Sequence, residues 1–236
     1  MCGRYTFIAP ASAVEQRFDA QFADAAPTTY NAAPSQRLPI ITNAAPGQIQ
    51  LMSWGLVPSW SRDAASVPRP INTRAEILAE KPSFRQLLDR RRCLVLADSF
   101  YEWQVTAAGK VPHRILLRDE QPFAFAGLWD ELLDRGTGEL HPTFAIVTNE
   151  LNALMVSIHN RMLVILPDRA AEQAWLADGP GRAPAPAAAL RCRRHARLRH
   201  QHARKLAGQQ RCPAAGSCLN AALSVSGRSS VVGGRT

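Results

Sequence analysis

The second residue of the chain is a cysteine, and that position opens chemistry available to few others. Initiator methionine is normally removed when the next side chain is small, which would leave Cys2 with a free α-amino group beside its thiol. The α-amino pKa is about 7.7–8.0 and the thiol about 8.5, so both carry a nucleophilic fraction near neutral pH. Such a 1,2-aminothiol condenses with an aldehyde to an imine, and the thiol then adds to the imine carbon to close a five-membered thiazolidine. It also serves as an N-terminal nucleophile on acyl groups, with its own amine as base. The plain alternative is a cysteine that merely follows the start codon.

Three further segments carry polar residues for which a plain core has no use. Glu102 stands between Tyr101 and Trp103, directly after an apolar run over 94–100. A carboxyl flanked by aromatics has a raised pKa and suits a general acid or base, although a solvent-facing glutamate at a strand end fits the same pattern. His159 enters Asn160-Arg161-Met162 and is one of three histidines before residue 179, with His113 and His141. A structural role is the competing reading for it. Asn72 and Arg74 lie two apart after a proline-rich loop, so an extended segment points both to one side. That arrangement suits an amide orienting a reactive group and a guanidinium holding a phosphate, or equally a stabilised loop. Together these segments offer a nucleophile, an acid/base pair, an orienting amide and two arginines, the distribution expected when loops converge on one site.

The elements that must position these residues are mostly short strands. Strands are expected over 4–8, 38–42, 49–54, 93–100, 115–118, 123–128, 144–148 and 162–166. Helices are expected over 12–22, 83–89, 149–157 and 168–176, with residues 72–76 opening another helical stretch. Ser12 and Glu15 have capping-box spacing, and Val14, Phe18 and Phe22 recur on one helical face. Residues 30–34 and 55–70 read as loops and 43–47 as a turn. There is no βαβ alternation, glycine-rich phosphate loop or internal repeat. The fold class is α+β, a mostly antiparallel barrel-like sheet with a few flanking helices.

The formal charge of +9 is a property of the carboxy-terminal end. Residues 179–236 hold 11 Lys and Arg and no Asp or Glu, leaving 17 basic and 19 acidic residues in 1–178. Affinity for nucleic acid in the body must therefore rest on local clusters. Two domains follow: a catalytic body over 1–178 and an Arg/Ala/Pro/Gly-rich tail over 179–236 that reads as disordered. Cys192, His195, His200, His202, Cys212 and Cys218 match no common zinc spacing. Five cysteines without framework spacing, no apolar run of 18 residues and no signal-peptide pattern at the start give a cytoplasmic expectation with free thiols.

Seven blocks in order carry a family resemblance: Met1-Cys2-Gly3-Arg4-Tyr5, Tyr30-Asn31-Ala32-Ala33-Pro34, Trp54-Gly55-Leu56-Val57-Pro58-Ser59-Trp60, Asn72-Thr73-Arg74-Ala75-Glu76, Phe100-Tyr101-Glu102-Trp103, Ala126-Gly127-Leu128-Trp129 and His159-Asn160-Arg161-Met162. Over residues 2–176 the chain resembles the SOS-response-associated peptidase family. The resemblance implies a sensor of abasic sites in single-stranded DNA, in which Cys2, freed of Met1 by autoproteolysis, forms a thiazolidine crosslink with the ring-opened aldehyde. It implies that Asn72 orients the Cys2 amine and thiol, that Glu102 shuttles protons, and that His159 assists, including in crosslink reversal. Arg74 and Arg161 would bind flanking phosphates, Gly3 and Arg4 would join the DNA contacts, and Trp103 and Thr148 would line the groove. Trp60 and Pro39 would wedge or stack beside the lesion. The implied partner is single-stranded DNA with abasic sites, with the replication machinery behind it. A monomer associated with the nucleoid is expected, with no membrane, cofactor or metal.

Two departures from the family pattern stand out. Leu163 replaces a usual proline, and the Arg/Ala/Pro/Gly text after about residue 177 replaces a terminal Val-Ser…Val-Asn strand motif. These residue types share GC-rich codons, so a frameshift near 177–190 would produce such a text and leave one sheet edge unpaired. Two other functions compete. A thiol peptidase or amidohydrolase acting in trans predicts turnover, and a non-catalytic nucleic-acid binder working through its basic tail predicts indifference to Cys2→Ala.

Overall fold

The computed structural model describes residues 3–61, 67–149, 161–177 and, for the backbone alone, 198–202. Its elements in chain order begin with β1 (Tyr5–Phe7), α1 (Ala11–Phe18), β2 (Gln21–Phe22), β3 (Thr29–Ala32), β4 (Arg37–Thr42), β5 (Ala45–Trp54) and β6 (Asn72–Arg74). Next come α2 (Ala75–Leu78), α3 (Pro82–Arg90), β7 (Arg92–Ala97), β8 (Ser99–Thr106), β9 (Gly109–Leu117), β10 (Phe123–Leu133) and β11 (Leu140–Asn149). The last are β12 (Met162–Leu163), β13 (Ile165–Leu166), α4 (Arg169–Leu176) and β14 (Leu198–His202).

Five strands close on themselves. β11, β10, β7, β4 and β5 pair antiparallel in that order, and β5 returns to β11 through the parallel pairs Thr143↔Ser53 and Phe144↔Trp54. Alternation along each strand then sorts side chains between two cores. Leu38, Ile40, Met52, Trp54, Val95, Phe125, Phe144 and Ile146 pack inside the ring, and that cluster continues onto Tyr5, Phe100 and Ile115 of a second sheet, ordered β14-β9-β8-β1-β3. Leu94, Leu96, Ala124, Ala145 and Val147 face outward under α1, α3 and α4. Inside the ring Gly127 sits where a Cβ would fall 2.8 Å from Cys93 Sγ and 2.9 Å from Val95 Cγ2, so only glycine lets β7 and β10 approach this closely.

Outside the ring, Arg92 is fully buried. An unmatched guanidinium there would cost several kcal/mol. Its Nε donates to Trp175 O at 2.6 Å, and its other nitrogens donate to Leu88 O and Ala177 O. One arginine thus ties the ends of α3 and α4 to the barrel, and Trp175 Nε1 completes the tie by donating to Cys93 O at 3.0 Å.

The α+β, mostly antiparallel barrel expected from the sequence is the observed class, and several element boundaries differ from the expectation. Residues 72–74 form a strand parallel to β11 instead of opening a helix. Of residues 30–34, expected as loop, 30–32 join Thr29 in β3 against β1. The run over 93–100 breaks at Asp98, whose carboxylate accepts from the Ile8 and Ala9 amides and so splits β7 from β8. α1 starts at Ala11 without a side-chain cap, so Ser12 lies within its first turn, and Glu15 accepts from Phe22 N at 3.1 Å instead of closing a capping box. Asp19, at φ 54°, ends that helix short of Phe22. Asp168 caps α4 by accepting from Ala171 N at 3.0 Å.

The helix expected over 149–157 falls, apart from Asn149 at the end of β11, outside the described residues. So does most of the tail, read as disordered. Within that tail Leu198–His202 pair antiparallel with β9, from Leu198↔Leu117 to His202↔His113, and cover its edge.

Candidate active site

The site is built outward from the amino terminus. β1 lies between β3 and β8, with Tyr5↔Phe100 and Thr6↔Ser99 in register and Tyr101 N donating to Arg4 O at 3.0 Å. Continued by two residues, this register sets Gly3 opposite Glu102. Gly3 also packs against β6, since a Cβ on it would lie 3.6 Å from Ile71 Cδ1, one residue before Asn72. Cys2 and His159 lie outside the described residues.

Glu102 is 2% exposed and shares its strand face with Phe100. Burial pushes its carboxyl up to about 7, against the opposing pull of the positive amino terminus and the Trp103 N–H. A group with that pKa both gives and takes protons at neutral pH, as a proton shuttle must. Across β9 it stands opposite His113, a residue sequence reasoning left without a role.

β6 supplies the second wall. Its register against β11, Ile146↔Asn72 and Thr148↔Arg74, places Asn72 and Arg74 on the pleat face that Ile146 shares with the ring interior. Asn72 is half-buried with its side-chain oxygen inside, while Arg74 is exposed at the strand end. Arg161 arrives from the opposite side of β11. Its Nε donates to Thr148 Oγ1 at 3.3 Å and its Nη2 to Thr148 O at 3.2 Å, and Nη2 also bonds both Glu76 oxygens, at 2.8 and 3.1 Å. Desolvation works to raise the Glu76 pKa, but the Arg161 hydrogen bond, a bond to its own backbone N–H and the charges of Arg161 and Arg74 together bring the net shift downward. Sequence reasoning missed Glu76 as the anchor of Arg161, although it closes the Asn72–Glu76 block.

The remaining residues are more scattered. Arg4 is half-buried, with Nη1 donating to Gly3 O at 2.9 Å. Trp103 is half-buried on the pleat face opposite Glu102, toward the outside of the second sheet. Trp60 is 69% exposed on a loop pinned by Ser59 N to Asp130 Oδ2 at 2.8 Å. Pro39 corrects an expectation: it is buried in mid-β4 opposite Leu51 and offers no surface for a wedge. A cleft of about 380 Å³ lined by Arg69, Arg135, His141 and Thr143 opens toward the other end of β11, and none of the expected site residues lines it. Among the described residues no three His, Cys, Asp or Glu group to hold a metal ion, and no helix is long and apolar enough to cross a membrane.

Fold and site together define an α+β barrel protein built around its own amino terminus. The sequence pattern of the family described as SOS response associated peptidase (SRAP) matches residues 1–206, beyond the 2–176 expected, and the chain belongs to that family. Over 183 residues it is 42% identical to the abasic site processing protein YoqW of Bacillus subtilis, covering 75% of this chain and 80% of that one. Over 147 residues it is 33% identical to the abasic site processing protein HMCES of Gallus gallus, covering 53% of this chain and 44% of that one. Among solved structures, a protein from Bacteroides thetaiotaomicron superposes with a TM-score of 0.77 at 32% identity, over 86% of this chain and 92% of that one. A protein from Bordetella bronchiseptica, 24% identical, shares the fold with a TM-score of 0.73 over 86% and 100% of the two chains.

Proposed function

We propose that this protein processes abasic sites in single-stranded DNA by forming a covalent crosslink through Cys2 once Met1 is removed. The observation that carries the reading is the position of Gly3, opposite Glu102 by register and packed against the residue before Asn72. Support also comes from the relatives that are named abasic site processing proteins.

The steps balance as follows. Hydrolysis of the Met1–Cys2 peptide bond frees the Cys2 amine, and the peptidase activity proposed here is this self-cleavage. The amine adds to the aldehyde carbon of the ring-opened sugar, and water leaves to give an imine. The thiolate then adds to the same carbon, the nitrogen takes a proton, and a thiazolidine closes. Glu102, with its carboxyl near 7, takes the proton from the attacking amine and returns it to the departing water. Asn72 orients the nucleophile, and His159 assists in closure and reversal. Arg74, Arg161, Arg4 and Gly3 hold the backbone around the lesion, with Thr148 and Trp103 beside them and Trp60 stacking on a neighbouring base. Few bound phosphates suffice on a near-neutral body, because counterion release is local. A nucleotide without its base has little stacking to lose on entering the site. The protein acts as a monomer at the nucleoid, on lesions met by the replication machinery.

The test is a denaturing gel with an oligonucleotide carrying one abasic site. A shifted band with wild type on the lesion, absent on intact DNA and absent with Cys2→Ala, is expected. A folded protein lacking Met1 that gives no such band would overturn the reading.

A further inference from the structure

His113 lies outside the machinery just described, yet its setting is not that of an ordinary core residue. It is directly opposite Glu102 in the β8–β9 ladder, and cross-strand partners on one face have Cβ atoms about 4.5–5.5 Å apart. Both side chains are nearly sealed from solvent, at 2% for Glu102 and 3% for His113. The imidazole is also oriented, because its Nε2 lies 3.2 Å from Oε1 of Gln104, two residues beyond Glu102 on the same strand face. Two groups that titrate singly would be an expensive pair to bury without a partner.

We propose that His113 is a positioning residue that acts through Glu102: the oriented imidazole and the buried carboxyl form one coupled acid–base pair that sets the charge available beside the amino terminus. Gln104 accepts a hydrogen bond from Nε2–H, so the imidazole keeps a proton on that nitrogen. A proton gained by His113 stabilises the Glu102 carboxylate, and a proton gained by Glu102 releases the imidazole to its neutral form, so the pair titrates as a unit. Among the described residues the charged groups near the pair are the following. The positive amino terminus acts on Glu102. Arg4 and Arg114 belong to the opposite pleat face, since they flank the Gly3–Glu102 and Glu102–His113 rows by one residue. On β6, Arg74 is exposed, and Arg161 beside it is engaged by Glu76. By backbone register His202 is next in the row, opposite His113.

The proposal depends on the reading of Glu102 as proton shuttle only for its effect on crosslinking. The pairing itself is read on the protein alone. The full chain is labelled with ¹³C at the glutamate carboxyls, and Glu102 is assigned by the signal lost in Glu102→Gln. Its midpoint is followed by NMR in wild type, His113→Phe, Gln104→Met and His202→Ala. His113→Phe is expected to raise the Glu102 midpoint by about one pH unit. Gln104→Met, at a half-buried position and so safer for folding, is expected to raise it by less in the same direction. The coupling is reciprocal, so the imidazole of Glu102→Gln must bind its proton more weakly by the same factor. If the crosslinking reading also holds, the pH–rate limb for adduct formation moves with the NMR midpoint. An unmoved midpoint in folded His113→Phe and Gln104→Met overturns the proposal, whatever the crosslinking assay gives. So does a shift that appears in His202→Ala alone. A moved midpoint without any crosslink keeps the pair and removes only the shuttle.

Discussion

Arg161 grips Glu76 with a single guanidinium nitrogen, Nη2, which lies 2.8 and 3.1 Å from the two carboxylate oxygens. The pair joins the segment leading into β12 to α2, and the charge of Arg74 also acts on Glu76. In this account Glu76 holds Arg161 in place for a phosphate and is not itself a DNA contact.

Arg161→Ala is therefore expected to weaken binding of abasic single strands by about tenfold, the scale of one charge-assisted hydrogen bond. It should also flatten the slope of log affinity against log salt by about 0.7, one phosphate on a single strand. Glu76→Gln should keep the slope and slow adduct formation at limiting DNA only. Fluorescence anisotropy across a salt series reads affinity and slope, and a Glu76→Gln variant that binds and crosslinks like wild type would show that the anchor carries no weight.

The raised pKa of Glu102 makes a stability prediction with a definite sign. A carboxyl whose folded pKa is about 7 and whose unfolded value is 4.5 binds protons more tightly in the folded state. Its contribution is fully present below pH 4.5 and is lost as pH rises through 7, a loss on the order of 3 kcal/mol. Glu102→Gln should therefore be more stable than wild type at pH 8.5 and lose that advantage toward pH 5, by urea denaturation. The same substitution should slow crosslinking by about 10²–10⁴-fold, the usual worth of a positioned acid–base group. Parallel stability curves for the two proteins would contradict the burial argument.

Gly127→Ala tests the closure of the ring. The new methyl would meet Cys93 Sγ, Val95 Cγ2 and, at 3.2 Å, Ala145 O. Overpacking of this kind costs about 1–3 kcal/mol. Adding Cys93→Ala should restore part of the loss, because one of the three contacts disappears while the backbone oxygen remains. Thermal melts of the single and double variants read the coupling, and strict additivity would count against the contact.

Ending the chain at residue 177 removes β14 and exposes the β9 edge. Lower melting temperature and concentration-dependent aggregation are expected. The soluble fraction should still crosslink in a Cys2-dependent way, whereas a protein working through its basic tail would lose DNA binding altogether.

The sequence was informative where chemistry and local pattern coincide. The raised carboxyl of Glu102 was legible from its aromatic neighbours, the shared face of Asn72 and Arg74 from their spacing, and the α+β class from many short apolar runs. It was less so wherever a distant partner overrides local preference. Residues 72–74 look helical by composition but become a strand because β11 supplies a parallel ladder. Residues 30–34 carry turn signals, yet β1 recruits Thr29–Ala32 as a strand. The break at Asp98 depends on amides some ninety residues away. Pro39 illustrates the reverse error, a residue given a surface role before its strand was known to be covered. His113 had no local signal at all, since its importance lies only in what stands across the ladder.

The central claim is that Cys2, stripped of Met1, bonds to the abasic sugar through both its nitrogen and its sulfur. Intact mass spectrometry of the purified adduct, before and after borohydride, tests it most directly. The account predicts the mass of the chain without Met1 plus the oligonucleotide less one water, unchanged by borohydride because a closed thiazolidine has no imine to reduce. An adduct that retains Met1, that gains two hydrogens on reduction, or that persists in Cys2→Ala would contradict it.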